Sequence, residues 1–179
     1  MLNNKFTQTL KTYFKNYWWK LIIIAVILLV DMLTKFLIVS EVNIIDGVLV
    51  IMPTKNYGAG FSILSGQTWL LISITVVFLT GLIIFDIMFK RKSTLFGVAT
   101  GLIIAGGIGN LIDRIFFGYV RDFIYLEFID FPVFNVADMA LTFGVILLAV
   151  YILFFNKDKK NAQKHIENNE VKDNSKNDI

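Results

Sequence analysis

The chain has 179 residues, 56% of them hydrophobic, with a mean hydropathy of +0.67 and a formal net charge of +3. A soluble domain of this length does not carry such an apolar excess, and several apolar runs are long enough to span a bilayer, so the composition implies one polytopic membrane domain. The absence of cysteine excludes disulfides, thiolate metal sites and a cysteine nucleophile; the only histidine, His165, sits in a polar tail, which excludes His-based triads and HExxH zinc chemistry.

Met1 to Trp19 is basic and aromatic. Phe6, Leu10, Phe14 and Trp18 recur at helical spacing, with Lys5, Lys11 and Lys15 elsewhere. This suits a helix in the membrane interface or a partly ordered lead-in. No small-residue cleavage pattern follows the next apolar run, so a cleaved signal peptide is not expected. Leu21 to Val39 is the first expected span, interrupted by Asp31 and Lys35 one turn apart. Asp before Lys at i,i+4 is the favourable order for a side-chain pair. The two serve either as a self-neutralising pair or in building a site.

Ser40 to Thr68 is a polar interval, in which Val42 to Met52 alternates weakly and predicts short strands. It also holds NYGAGFS, Asn56 to Ser62, where Gly58 and Gly60 read either as an ordinary turn or as a place for close approach of another chain. Trp69 to Phe89 is the second expected span, with Trp69 an interfacial anchor. Asp86 near its far end is expected to neutralise charge locally, beside Lys90, Arg91 and Lys92.

Thr94 to about Phe117 is the third expected span, with Gly97, Gly101 and Gly106 allowing close packing. Asn110, Asp113 and Arg114 share one of its faces, and Gly118 ends it. Tyr119 to Pro132 reads as a short connection carrying Asp122, Glu127 and Asp130. Val133 to Phe155 is the fourth expected span, with Asn135 and Asp138 in its first turns and Thr142 further along that face. The expected organisation is a single membrane domain over 1–156, including the basic lead-in 1–19. The Lys-, Asn- and Asp-rich tail, 157–179, has little to bury and is expected to be disordered and cytoplasmic. Lysines and arginines gather before the first span, after the second and after the fourth, which puts both termini in the cytoplasm and the 122/138 aspartates on the outer side.

Ionisable groups at the edge of an apolar span are costly and mark a site by default. Two carboxylates sharing a site hold one proton between them. The ionised one takes a proton from water and the protonated one donates to a scissile carbonyl, which is peptide hydrolysis without metal or nucleophilic side chain. Asp122 and Asp138 are the candidates for that pair, and Asp138, near a helix N-terminus, leans toward being the more acidic. Asn110, Arg114 and Asn135 would orient them or hold substrate backbone. The competing reading is an ion network in which Asp113 or Asp122 pairs with Arg114 or Arg121.

GGIGNLIDRIFFGYVRDFI, Gly106 to Ile124, and FNVAD, Phe134 to Asp138, resemble the hallmark motifs of the lipoprotein signal peptidase (bacterial signal peptidase II) family. DMLTK at Asp31 to Lys35 and NYGAGFS match in the family's order, so the resemblance spans roughly Leu21 to Phe155. It implies catalysis by Asp122 and Asp138, with Asn56, Gly58, Asn110, Arg114 and Asn135 binding substrate or supporting the pair, and Asp31, Lys35 and Asp113 as structural polar groups. The implied fold is all-α: four transmembrane helices with a small extracytoplasmic β-element and a short helix-bearing loop over the site. The implied activity is aspartic endopeptidase cleavage of diacylglyceryl-modified prolipoprotein just before the lipidated cysteine. No metal, cofactor or nucleic acid is expected, and the enzyme is expected to be a monomer among membrane lipids of the bacterial cytoplasmic membrane. Met32 stands where the family usually has Gln, Gly60 where it often has Ala, and Arg121 where an apolar residue is common.

Three rivals have distinct consequences. A transporter needs polar residues through the depth of several spans. A serine–lysine peptidase would use Ser62 or Ser65 with Lys35 or Lys55. A silent assembly factor would depend on neither aspartate.

Overall fold

The computed structural model describes residues 2–60, 63–89 and 93–155. The tail 157–179 with His165, as well as Ser62 and the basic run Lys90 to Lys92, lies outside the described residues. Four α-helices are α1 (Leu2–Leu37), α2 (Thr68–Phe89), α3 (Thr94–Phe117) and α4 (Val136–Val150), the last running into a π-helical turn, Tyr151–Phe155. Three antiparallel strands, β1 (Val42–Ile45), β2 (Leu49–Asn56) and β3 (Val120–Leu126), form one small sheet in that order.

The basic lead-in and the first apolar run form one helix, broken only at Tyr17, where the backbone leaves helical angles at φ −126° and ψ 20°. Three helices are long and apolar enough to cross a membrane: Thr68–Met88, Thr94–Phe117 and Val136–Phe154. In α1 the corresponding run is bounded by Lys20 and interrupted by Asp31 and Lys35.

The central helix is α3, which packs against α1, α2 and α4. Its residues are small where helices must approach: Ala99, Thr100, Ile103 and Ala105 are buried, Ala99 and Ile103 lying against Gly144 of α4 and Thr100 bonded to Lys20 of α1. At Gly106 an added Cβ would sit 2.3 Å from the carbonyl oxygen of Ala137, so no other residue fits without moving α4. The outward faces of α2 and α4 expose Val77, Phe78, Phe143, Val145 and Ile146, as lipid-facing helices do.

Gly118 ends α3 in the left-handed region, at φ 80°, with its N–H donating to the Arg114 carbonyl at 3.1 Å. That left-handed residue turns the chain straight into β3, a strand where the sequence reads only as a connection. Val120, Phe123, Ile124 and Tyr125 favour a pleated, half-buried surface, but the strand exists because β2 offers it an edge. The pairing sets Thr54 opposite Asp122 and Asn56 opposite Val120, and its register shifts between Ile51 and Thr54, where Pro53 has no N–H to give the ladder. The α4 helix begins later than expected, because Val133 and Phe134 are extended and Phe134 exchanges backbone hydrogen bonds with Ile124. The segment 127–135 has a turn and this bridge but no helix; the other outer segment, 57–67, is irregular around the undescribed residues 61–62.

Gly106→Ala is expected to force α3 and α4 apart and cost about 1–3 kcal/mol, the range for overpacking a close-packed interior. A lowered thermal midpoint of the purified protein in detergent, with reduced turnover, is the expected result.

Candidate active site

Elements distant in sequence meet where the C-terminal ends of α1 and α3 and the N-terminal end of α4 abut β2 and β3. β3 carries Arg121 and Asp122, and because successive strand residues point to opposite faces, their side chains part. Arg121 turns to Asp113: its Nη2 and Nε reach Asp113 Oδ1 at 2.7 and 3.2 Å, and its backbone N–H donates to Oδ2 at 2.9 Å. The guanidinium also lies 4.5 Å from the centre of the Phe117 ring. The residue that departs from the family pattern is thus the counter-ion of Asp113. Of the alternatives left open by the sequence, Asp113 with Arg121 is the pair that forms.

Asp122 points the other way and is 2% exposed. Asn56 of β2 donates to its Oδ2 at 2.9 Å, and Asn135 donates to its Oδ1 at 2.6 Å. Asn135 is also the N-cap of α4, where its side chain accepts from the Asp138 N–H at 2.9 Å while Asp138 Oδ2 accepts from the Asn135 N–H at 3.1 Å. This reciprocal capping box satisfies two amides that a helix start leaves unpaired. Asp138 Oδ1 accepts from Asn110 Nδ2 at 2.7 Å. The Asn110 oxygen in turn accepts from Asn135 at 3.1 Å and from Lys35 Nζ at 3.3 Å. With two donors on its oxygen, the Asn110 amide has its nitrogen committed to Asp138.

Beneath this layer, Lys35 is an ion-pair partner of Asp31 at 2.8 Å and Asp113 at 3.2 Å, all three side chains essentially without exposure. Asp31 Oδ1 accepts from the N–H of Ala137 at 2.9 Å, a second cap on the first turn of α4. Gly109 leaves the room for it, since a Cβ there would be 2.7 Å from Asp31 Oδ2. The DMLTK pair therefore does more than neutralise itself: Asp31 holds the helix that carries Asp138, and Lys35 holds the asparagine that bonds to Asp138.

Above the carboxylates lies a cavity of about 540 Å³. Asp122, Asp138, Asn56, Asn110 and Arg114 line it on the polar side; Phe131, Phe134 and Leu141 are among its apolar walls. Arg114 Nη2 donates to the Gly58 carbonyl at 2.7 Å, and Gly58 N–H donates to Asn56 Oδ1 at 2.9 Å. Gly58 thus ties the NYGAGFS turn to both Arg114 and Asn56. Burial, then the nearby Asp138 carboxylate, push the Asp122 carboxyl up to about 7, against the opposing hydrogen bonds from Asn56 and Asn135 and the charge of Lys35. Ser65 also lines the cavity, but Lys35 is held by two carboxylates and Lys55 lies 5.0 Å over the Tyr119 ring. Among the described residues, no cluster of His, Asp or Glu has the arrangement to hold a metal.

Of the expected site residues, Asn56, Asn110, Arg114, Asp122 and Asp138 line this cavity, while Gly58 and Asn135 lie behind it, hydrogen-bonded to residues that do. The sequence did not reveal the cap from Asp31 to α4, a contact across chain reversals, where helical spacing carries no signal.

Lys35→Met is expected to leave Asp31 and Asp113 buried with one cation, Arg121, between them. The cost of stranding a buried charge is about 3–5 kcal/mol. The double variant Asp31→Asn/Lys35→Met removes the pair together and leaves Asp113 its arginine, so thermal unfolding in detergent is expected to show partial recovery.

Residues 23–154 match the family described as signal peptidase (SPase) II. A lipoprotein signal peptidase of Geobacillus kaustophilus (strain HTA426) is 43% identical over 152 residues, covering 80% of this chain and 97% of that one. A lipoprotein signal peptidase of Bacillus velezensis (strain DSM 23117 / BGSC 10A6 / LMG 26770 / FZB42) is 38% identical over 142 residues, 75% of this chain and 93% of the relative. Among solved structures, a bacterial membrane enzyme determined by the in meso method at 2.3 Å resolution is similar with a TM-score of 0.72 and 35% identity, over 79% of this chain and 90% of that one. By family match, by identity over nearly the whole length of its relatives and by fold, this chain belongs to the signal peptidase II family.

Proposed function

We propose that the chain is a membrane aspartic endopeptidase that removes the signal peptide from diacylglyceryl-modified prolipoprotein, cutting just before the lipidated cysteine. Asp122 and Asp138 are its catalytic pair. The observation that carries this is the joining, through one asparagine, of a buried carboxylate and a half-buried one that line the same cavity, with Asp122 held near 7 and Asp138 bonded to an amide nitrogen and a backbone N–H. The names of the relatives, lipoprotein signal peptidases, support the substrate class.

In this reading Asp138 is ionised and Asp122 carries the proton. Asp138 takes a proton from water as the water oxygen bonds to the scissile carbonyl carbon. Asp122 gives its proton to the carbonyl oxygen, so the tetrahedral diol forms without an uncompensated charge. Collapse breaks the C–N bond, the amine leaves with the proton held by Asp138, and the diol returns one to Asp122. Asn56, Asn110 and Asn135 hold the carboxylates, and Arg114, charged at the cavity wall, holds substrate carbonyls. Single membrane-domain organisation over 1–156, four spans including the apolar part of α1, cytoplasmic termini, an outward site and a monomeric state belong to the same proposal. Lysine placement supports the orientation.

Asp122→Asn and Asp138→Asn are each expected to lower turnover of lipid-modified substrate at least roughly a hundredfold with the fold kept, since each removes the proton exchange of general catalysis. Ser65→Ala is expected to retain turnover. Near-wild-type rates in either aspartate variant would sink the pair.

The sign of the pH dependence follows from Asp122. Its proton is the one donated, and it is present below the raised value of about 7 and lost above it. Turnover is therefore expected to fall as pH rises through that value, approaching tenfold per unit. The check is a kcat/KM profile, which reports the groups of the free enzyme; a flat profile from 6 to 9 would contradict the assignment of donor.

A further inference from the structure

Away from the cavity, at the opposite ends of α2 and α3, a second polar cluster is buried. Lys20 Nζ lies 2.5 Å from Asp86 Oδ2 and donates to Thr100 Oγ1 at 2.7 Å. The Tyr13 hydroxyl donates to the same Asp86 oxygen, so α1, α2 and α3 meet at one carboxylate. Lys20, Asp86 and Thr100 are all buried. Trp19 packs into the place of a missing side chain: a Cβ on Gly97 would come within 2.6 Å of its ring. Asp86, expected to neutralise charge locally, pairs with Lys20 and ties α2 to α1.

This cluster brackets the break at Tyr17, with Tyr13 on one side and Lys20 on the other. It therefore determines how the arm from Leu2 to Asn16 leaves the helix bundle. The arm lies before residue 23, where the family match begins. Its inward side holds Leu10, Tyr13 and Tyr17, at i, i+3 and i+7, all partly buried. Its outward side holds Lys11, Phe14, Lys15 and Trp18, all exposed. From Met1 to Trp19 the arm has three lysines and no acidic residue. Exposed lysines interleaved with Phe and Trp on one helix face fit an interface where ring edges reach the acyl boundary and ammonium groups meet lipid phosphates.

We propose that the N-terminal arm is a docking device for anionic phospholipid headgroups, held at a fixed angle to the bundle by the Tyr13–Asp86–Lys20–Thr100 clamp. Charge complementarity selects the occupant. A protein partner would need no anionic lipid, and a second copy of the chain presents the same positive arm.

The chain has no cysteine, so a single introduced one labels cleanly. The test uses the full chain carrying Asn16→Cys, bearing a polarity-sensitive fluorophore, in nanodiscs of phosphatidylcholine alone or with one part in three of phosphatidylglycerol. The expected result is blue-shifted emission in the anionic bilayer only, reversed by high salt and absent in Lys11→Gln/Lys15→Gln. Equal emission in both bilayers, or no response to the lysine pair, overturns lipid recognition. The clamp is tested separately with Tyr13→Phe, which loses a hydroxyl but leaves Lys20 with Asp86. Backbone amides of residues 8–16 are expected to exchange about fivefold to tenfold faster, the effect of one hydrogen bond, with prolipoprotein turnover unchanged. Unchanged exchange overturns the clamp.

Discussion

The buried ammonium of Lys35 is the point from which the site is held. It pairs with Asp31 of its own helix and Asp113 of α3, and it donates to Asn110. Through Asp31 it is connected to the first turn of α4, and through Asp113 to Arg121 of β3. A lysine placed there costs several kcal/mol in desolvation and persists only with full pairing. Its contacts span the elements that must align before two aspartates from β3 and α4 can share a cavity. Burial and the neighbouring Asp138 carboxylate raise the pKa of Asp122, which under the proposed function carries the proton.

Asn135 converts this charge arrangement into geometry. It caps α4, so its conformation is fixed by the start of a helix. It donates from one amide nitrogen both to Asp122 Oδ1 and to Asn110 Oδ1. Asn110 has its oxygen occupied by Asn135 and Lys35 and can offer only nitrogen to Asp138. The carboxylates therefore differ in surroundings although both are aspartates. Asp138 belongs to a capping box, at the end of a helix whose dipole favours negative charge. Asp122 sits mid-strand, where burial and the neighbouring carboxylate disfavour charge.

Much of this was legible in the chain, for identifiable reasons. The ends of α3 were readable because Gly118 supplies the left-handed stop and Thr94 follows a capping serine, Ser93. The α2 helix was readable from uninterrupted hydropathy. The site residues were readable because polar groups at a span's edge stand out against their apolar surroundings. β3 was not, because a strand depends on an edge supplied by β2, far away in sequence. The start of α4 was misplaced because Val133 and Phe134 are apolar in either a strand or a helix, and only pairing with Ile124 decides. The partner that Asp86 finds was not legible for the same reason: Lys20 lies 66 residues away in sequence.

The position of the cavity at the edge of the apolar helices bears on which peptide it accepts. One wall is polar, with Asn56, Asn110, two aspartates and Arg114; another is apolar, with Phe131, Phe134 and Leu141. A free peptide entering such a site loses its translational and orientational freedom, with few apolar contacts to offset the loss. A peptide attached to diacylglycerol has already been confined to the membrane plane. Each buried methylene adds roughly 0.8 kcal/mol of membrane affinity, so two long acyl chains make departure negligible. Under the proposed function the residues around the cavity then need only align a backbone that the bilayer has delivered. Among the described residues, those beyond the helices form one small sheet and connecting segments that place Asn56, Gly58 and Asp122 beside Asp138.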